Sequence, residues 1–125
     1  MRNRESEEMY LETILILSRE MGQVRRVDIT ESMNVSKPSV TFAIQSLTEK
    51  GYVCDDGNGG IRLTDAGRSK AETIYDRHHL ITQLLMHIGA DPADAEANAC
   101  RMEHVVSTEL TEVIRRFMKQ RTVFS

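Results

Sequence analysis

The 125-residue sequence predicts a mainly α chain interrupted by one small β-hairpin. Three observations predict it. Apolar residues recur at helical spacing through most of the chain, as in Val40, Ile44 and Leu47 at i, i+4, i+7. One stretch instead holds two short extended runs joined by Asp55-Asp56-Gly57-Asn58-Gly59-Gly60, which is turn chemistry. Capping residues, glycines and early prolines punctuate the rest at helix ends.

Taken in order, Ser6 to about Met21 reads as a first helix, with Met9, Leu11, Ile14, Leu15, Ile16 and Leu17 apolar nearly all round, as in a central buried helix. Gly22 ends it. A short helix follows over Val27 to Met33, with Ile29 and Met33 facing inward. Asn34-Val35-Ser36 is a tight turn. Ser36 caps a third helix to about Lys50, with Pro38 in its first turn. Tyr52-Val53-Cys54 and Ile61-Arg62-Leu63 form the hairpin. Thr64 or Asp65 caps a long helix to about Ile88, whose stripe includes Ile74, His78, Ile81, Leu85 and Ile88. Asp91-Pro92 opens a further helix to Glu103 or His104, and a last one spans roughly Ser107 to Lys119.

Helix-turn-helix followed by a hairpin is the winged helix-turn-helix arrangement. The expected division is residues 1–70 as a winged helix-turn-helix domain and 71–125 as a second, helical domain. A hydrophobic share of 40% allows a packed core, although a chain this short gains from oligomerising. The net charge of -3 is unlike the basic footprint of most nucleic-acid binders, so binding would depend on a local patch. Two cysteines are too few for a disulfide framework, and the N-terminus begins polar. The longest apolar run, Ile14 to Leu17, is far too short to span a bilayer. A reduced, cytoplasmic protein without a membrane segment is expected.

In a helix-turn-helix the second helix enters the major groove. The outward side chains here are Ser36, Lys37, Pro38, Ser39, Thr41, Phe42 and Gln45. Hydroxyls and Lys37 suit phosphates or base edges, and Gln45 suits adenine. Phe42 is unusual on such a face and is suited to thymine methyls or to packing on a neighbouring element. Arg62 in the hairpin and Arg25-Arg26 are placed to grip phosphates. Singly, each charge is more often ordinary solvated surface.

The second half holds Cys100, Glu103 and His104 in Ala99-Cys100-Arg101-Met102-Glu103-His104. Spaced i, i+3, i+4, they put a thiol, a carboxylate and an imidazole on one helix face. All three are ligands for first-row divalent metals. Alone, Cys100 reads as a small hydrophobe, Glu103 as a solvated charge and His104 as a partner of the helix dipole. The joint spacing favours a metal.

With these residues the chain resembles the DtxR family of metal-dependent transcriptional repressors. The resemblance is carried by Glu8 to Ile14, by Val35-Ser36-Lys37-Pro38-Ser39-Val40-Thr41, by Leu63-Thr64-Asp65-Ala66-Gly67, by Arg77-His78-His79-Leu80 and by Ala99 to Val105. It implies that Met9 joins Cys100, Glu103 and His104 at the activating metal, as in iron-responsive members, and that His78 belongs to a neighbouring metal site. Glu12 sits where manganese-type members place a carboxylate ligand. Thr82 and Glu96 occupy the other second-site positions, with Glu96 a substitute ligand. A chain without an SH3-like domain after Ser125, as in the short manganese-type members, is expected. The implied donor set is a hybrid of two types.

The expected function is a metal-activated repressor of metal homeostasis acting as a homodimer on double-stranded operator DNA, and not an enzyme. Soft sulfur donors disfavour Mn²⁺, so Fe²⁺ is the expected ion, with Mn²⁺, Co²⁺, Ni²⁺ or Zn²⁺ also able to bind. One ion held by residues of both lobes would fix the spacing of the recognition helices. Leu84, Leu85, Ile88, Val105, Leu110 and Ile114 offer apolar surface for a dimer or for an internal core. The alternative is a metal-independent winged-helix regulator, or one that responds to thiol oxidation at Cys54 or Cys100. No nucleophile–base pair or phosphate-cradling glycine loop supports an enzyme.

Overall fold

The computed structural model describes the backbone of residues 2–124 and the side chains of residues 6–120. Its elements run α1 (Arg2–Met21), α2 (Arg26–Met33), α3 (Lys37–Glu49), β1 (Val53–Asp55), β2 (Ile61–Leu63), α4 (Asp65–His87), α5 (Pro92–Met102) and α6 (Thr108–Phe124). The chain divides into two compact units, residues 1–72 and 73–125, at a boundary within α4.

In the first unit, α1 buries Tyr10, Leu11, Ile14, Leu15 and Leu17. It is less apolar than its sequence suggests: Met9 is exposed, whereas Glu8 and Glu12 are buried. Asn34, in the left-handed conformation at φ 55°, terminates α2. The chain then turns into α3, where Ser36 accepts a hydrogen bond from the Ser39 backbone N–H at 3.2 Å. This satisfies one of the open donors of the first turn, and Pro38 needs none. Val40, Ile44 and Leu47 are all buried, as their spacing predicts.

The strands pair antiparallel with Val53 opposite Leu63, Cys54 opposite Arg62 and Asp55 opposite Ile61. The sequence did not suggest a third participant: Val24 bridges Ile61, whose N–H donates to the Val24 carbonyl at 2.7 Å. At the tip, Asp56 Oδ1 accepts the backbone N–H groups of Asn58 at 2.7 Å and Gly60 at 2.9 Å. These bonds hold its carboxyl below the ordinary carboxylate range. The wing therefore has a built tip rather than a loose one.

Where α4 begins, Gly67 lies against the Tyr52 carbonyl. A Cβ at residue 67 would stand 1.9 Å from that oxygen, so only glycine fits. Glu7 of α1 ties this unit together through ion pairs with Lys50, at the end of α3, and Lys70 of α4.

In the second unit Ile74, Leu80, Ile81, Ala95, Ala99 and Ile114 are buried. Ile114 thus belongs to the core. Ile88, expected on the inward stripe of the long helix, is 70% exposed, just past the end of α4 at His87. Asp91 caps α5 by accepting from Ala93 N at 3.2 Å, with Pro92 next in line. No described helix is long and apolar enough to cross a membrane.

Candidate functional site

The first unit presents one helix face to solvent. Pro38, Thr41, Phe42 and Gln45 are spaced i, i+3, i+4, i+7 along α3, opposite the buried Val40, Ile44 and Leu47, and all four are exposed. Lys37 and Ser39 are exposed at its first turn. Ser36 is exposed too, but its hydroxyl is engaged: besides capping the helix, it lies 2.8 Å from the Ser39 hydroxyl. Its role is therefore to set the start of α3. Arg26 and Arg62 are also exposed, and Arg62 on β2 donates to Cys54 Sγ at 3.7 Å. A helix face bearing hydroxyls, an amide, an aromatic ring and a lysine has the chemistry of a DNA reader despite the overall charge of -3. Met9 and Glu12, the candidate ligands of this unit, lie one helical turn apart on α1.

The second unit concentrates its chemistry at the end of α5. Glu103 is its C-cap and is 0% exposed. The Glu103 backbone carbonyl, one of the open acceptors of a helix end, takes a hydrogen bond from buried Arg77 Nη1 at 2.9 Å. Its side chain faces two imidazoles. Oε2 lies 2.8 Å from His78 Nδ1 on α4. Oε1 lies 3.3 Å from His104 Nε2 and accepts no hydrogen bond among the described residues.

The second ring nitrogen of His78 is Nε2. Nε2 is 4.0 Å from Glu96 Oε1, and Glu96 is 73% exposed. Thr82 donates its hydroxyl proton to the His78 carbonyl at 2.8 Å, so this side chain serves the helix backbone. Cys100 is exposed on the last turn of α5, and neither cysteine is in a disulfide.

The spacing of Glu103 and His104 was legible in the sequence. Their meeting with His78, 25 residues earlier, was not, because helix packing makes it. Arg77 was also missed as a participant. Its signal was an arginine inside the apolar stripe of α4, a position that buries a cation and requires a partner.

These groups fit a divalent cation. Two ligands in adjacent positions around one ion, each bonded at ~2.1 Å, stand roughly 3–3.4 Å apart. Glu103 Oε1 and His104 Nε2 are at that separation, at 3.3 Å. A buried carboxylate oxygen without a hydrogen bond is costly unless another positive group meets it. His78 holds the other oxygen of the same carboxylate, the arrangement that orients a ligand.

Residues 4–61 match the family described as iron dependent repressor, N-terminal DNA binding domain, and residues 64–123 the iron dependent repressor, metal binding and dimerisation domain. The chain is 32% identical over 117 residues to the transcriptional regulator MntR of Escherichia coli O6:H1, covering 94% of this chain and 76% of that one. It is 35% identical over 113 residues to the iron-dependent repressor IdeR of Mycobacterium leprae, covering 90% and 48%. Its fold is similar to that of the manganese regulator SloR, with a TM-score of 0.78, 30% identity and coverage of 90% and 53%. The chain thus spans about half the length of the IdeR and SloR chains.

Proposed function

The chain belongs to the DtxR family of metal-dependent transcriptional repressors, and from that premise we propose that it is an iron-activated homodimeric repressor acting on operator DNA in the cytoplasm. The observation that carries the metal half of this reading is Glu103: fully buried, with one oxygen on His78 and the other unbonded beside His104.

Kinship alone does not choose the ion, since the relatives include a manganese regulator and an iron-dependent repressor. The donors do. The proposed set is Cys100, Glu103 and His104, with Met9 and Glu12, and with His78 and Glu96 at a neighbouring position. Thiolate and thioether are soft, which favours Fe²⁺ over Mn²⁺. Met9 and Glu12 are included for their chemistry and for their places in the family pattern. A bound cation would supply positive charge to these donors and a fixed link among them. The chain's own residues do the rest. Arg77 pins the end of α5, His78 orients Glu103, and Ser36 sets the first turn of α3. Lys37, Arg26 and Arg62 then hold phosphates, while Ser39, Thr41, Phe42 and Gln45, with Pro38 among them, face the bases.

The homodimer is supported by exposed apolar side chains on the second unit. Leu110, Val113 and Phe117 share an exposed stripe of α6 at i, i+3, i+7, and Phe117 meets the His87 ring at 5.7 Å between centroids. Two-fold pairing would present two copies of α3 to successive major grooves, ~34 Å apart.

The test is anaerobic loading of the full chain followed by elemental analysis and metal titration, for wild type and for Cys100→Ser. Fe²⁺ bound more tightly than Mn²⁺, with that preference reduced in the variant, is the expected result. An unchanged preference removes Cys100 from the site, and a wild type that binds Mn²⁺ as tightly as Fe²⁺ removes iron from the proposal.

A further inference from the structure

Phe42 is 75% exposed, the most exposed large apolar side chain among the described residues. It lies on the outward stripe of α3 with Pro38, Thr41 and Gln45, and the core stripe of the same helix is filled without it. Its ring has no hydrogen-bonding group, so it is unsuited to phosphates and to the polar atoms of base edges. In the major groove the base-pair edges carry a single apolar group, the 5-methyl of thymine. Gln45, three residues on, carries the carboxamide that matches adenine N6 and N7. Three residues of helix advance ~4.5 Å, and one base pair advances ~3.4 Å. The spacing of the two side chains is thus of the order of one base-pair step.

We infer that α3 selects a half-site with two neighbouring A·T pairs, one read by its thymine methyl against the Phe42 ring and the next by its adenine against Gln45. The inference rests on the DNA-binding reading above and adds to it the base identity that this chain prefers. A competing use of the ring is local. Phe42 borders a cleft of about 650 Å³ lined also by Met9, Tyr10, Met33 and Leu47. A ring that packs there would stabilise the fold and read nothing.

The experiment uses the metal-loaded full chain to select duplexes from a random pool, then replaces each thymine of the selected site by uracil, which removes only the methyl. Wild type is expected to lose about fourfold in affinity at one thymine per half-site, the ~0.8 kcal/mol of one buried methyl converted at ~1.4 kcal/mol per tenfold. Phe42→Ala is expected to bind the thymine and uracil forms equally and to unfold at the wild-type midpoint. Gln45→Ala is expected to lose the adenine preference at the adjacent pair.

Indifference of wild type to uracil at every position overturns the inference. So does a Phe42→Ala variant as sensitive to uracil as wild type, or one that is destabilised with its base preference intact. Failure to enrich any duplex, with metal present, overturns the DNA-binding reading itself and is distinct from those outcomes.

Discussion

Glu103 Oε1 is a buried acceptor that the described residues do not satisfy. Leaving such an atom unbonded costs ~1–3 kcal/mol, and more for a charged group. Retaining it therefore calls for a positive partner. Replacing Glu103 by Gln removes the charge and keeps the shape. The expected outcome is metal-free stability unchanged or raised by ~1 kcal/mol, because an imperfectly paired buried charge is gone. The stabilisation conferred by metal, ~2.7 kcal/mol at a hundredfold excess over Kd, is expected to disappear. Thermal unfolding with and without Fe²⁺ checks both halves. A variant destabilised without metal and still stabilised by it would make Glu103 structural. At this scale the sequence was informative where chemistry is local, as for the adjacent Glu103 and His104. It was silent where partners are distant in the chain, as for His78 with Glu103 and Arg77 with the Glu103 carbonyl.

Between elements, two contacts fix the first unit. At the start of α4, a Cβ on residue 67 would collide with the Tyr52 carbonyl. Backbone is not the flexible end of a side chain, so Gly67→Ala is expected to cost ~1–3 kcal/mol, as overpacking does. A urea midpoint equal to wild type would show that the approach is looser. The second contact is Glu7 with Lys50 and Lys70. Burial, the largest single influence, pushes the Glu7 carboxyl up, but the bonds from the two lysines together bring it below its ordinary 4.5.

A carboxyl whose value is lowered by folding stabilises the fold above its unfolded value and loses that contribution as pH falls through the lower folded one. Glu7→Gln is therefore expected to cost ~1 kcal/mol near neutral pH, a modest figure because Lys50 is half exposed. The gap from wild type should close as pH falls below about 4.5 and through the folded value. A gap independent of pH would assign the loss to packing. Helix existence was legible here because apolar spacing and caps are local signals. The Val24 bridge, the tight approach at Gly67 and the exposure of Met9 and Ile88 were not, since each depends on what another segment covers.

Across the whole molecule, one unit carries the exposed polar and aromatic face of α3 and the other the carboxylate–imidazole cluster. The exposed stripe of Leu110, Val113 and Phe117 bears on assembly. Phe117→Asp is expected to shift sedimentation from two chains to one and to weaken operator binding, because one copy of α3 then binds alone. A dimer unchanged by this substitution would move the interface off α6. Most of the two-part plan was legible in the sequence because element order and ligand spacing are both written locally.

The most direct test is operator affinity of the full chain, measured anaerobically with Fe²⁺ and again with chelator at the same ionic strength. A coupling of ~1–3 kcal/mol, or roughly 5–150-fold tighter binding with the metal, is the expected result. Equal affinities in the two conditions would contradict metal control outright, even if the helix face of α3 still bound DNA.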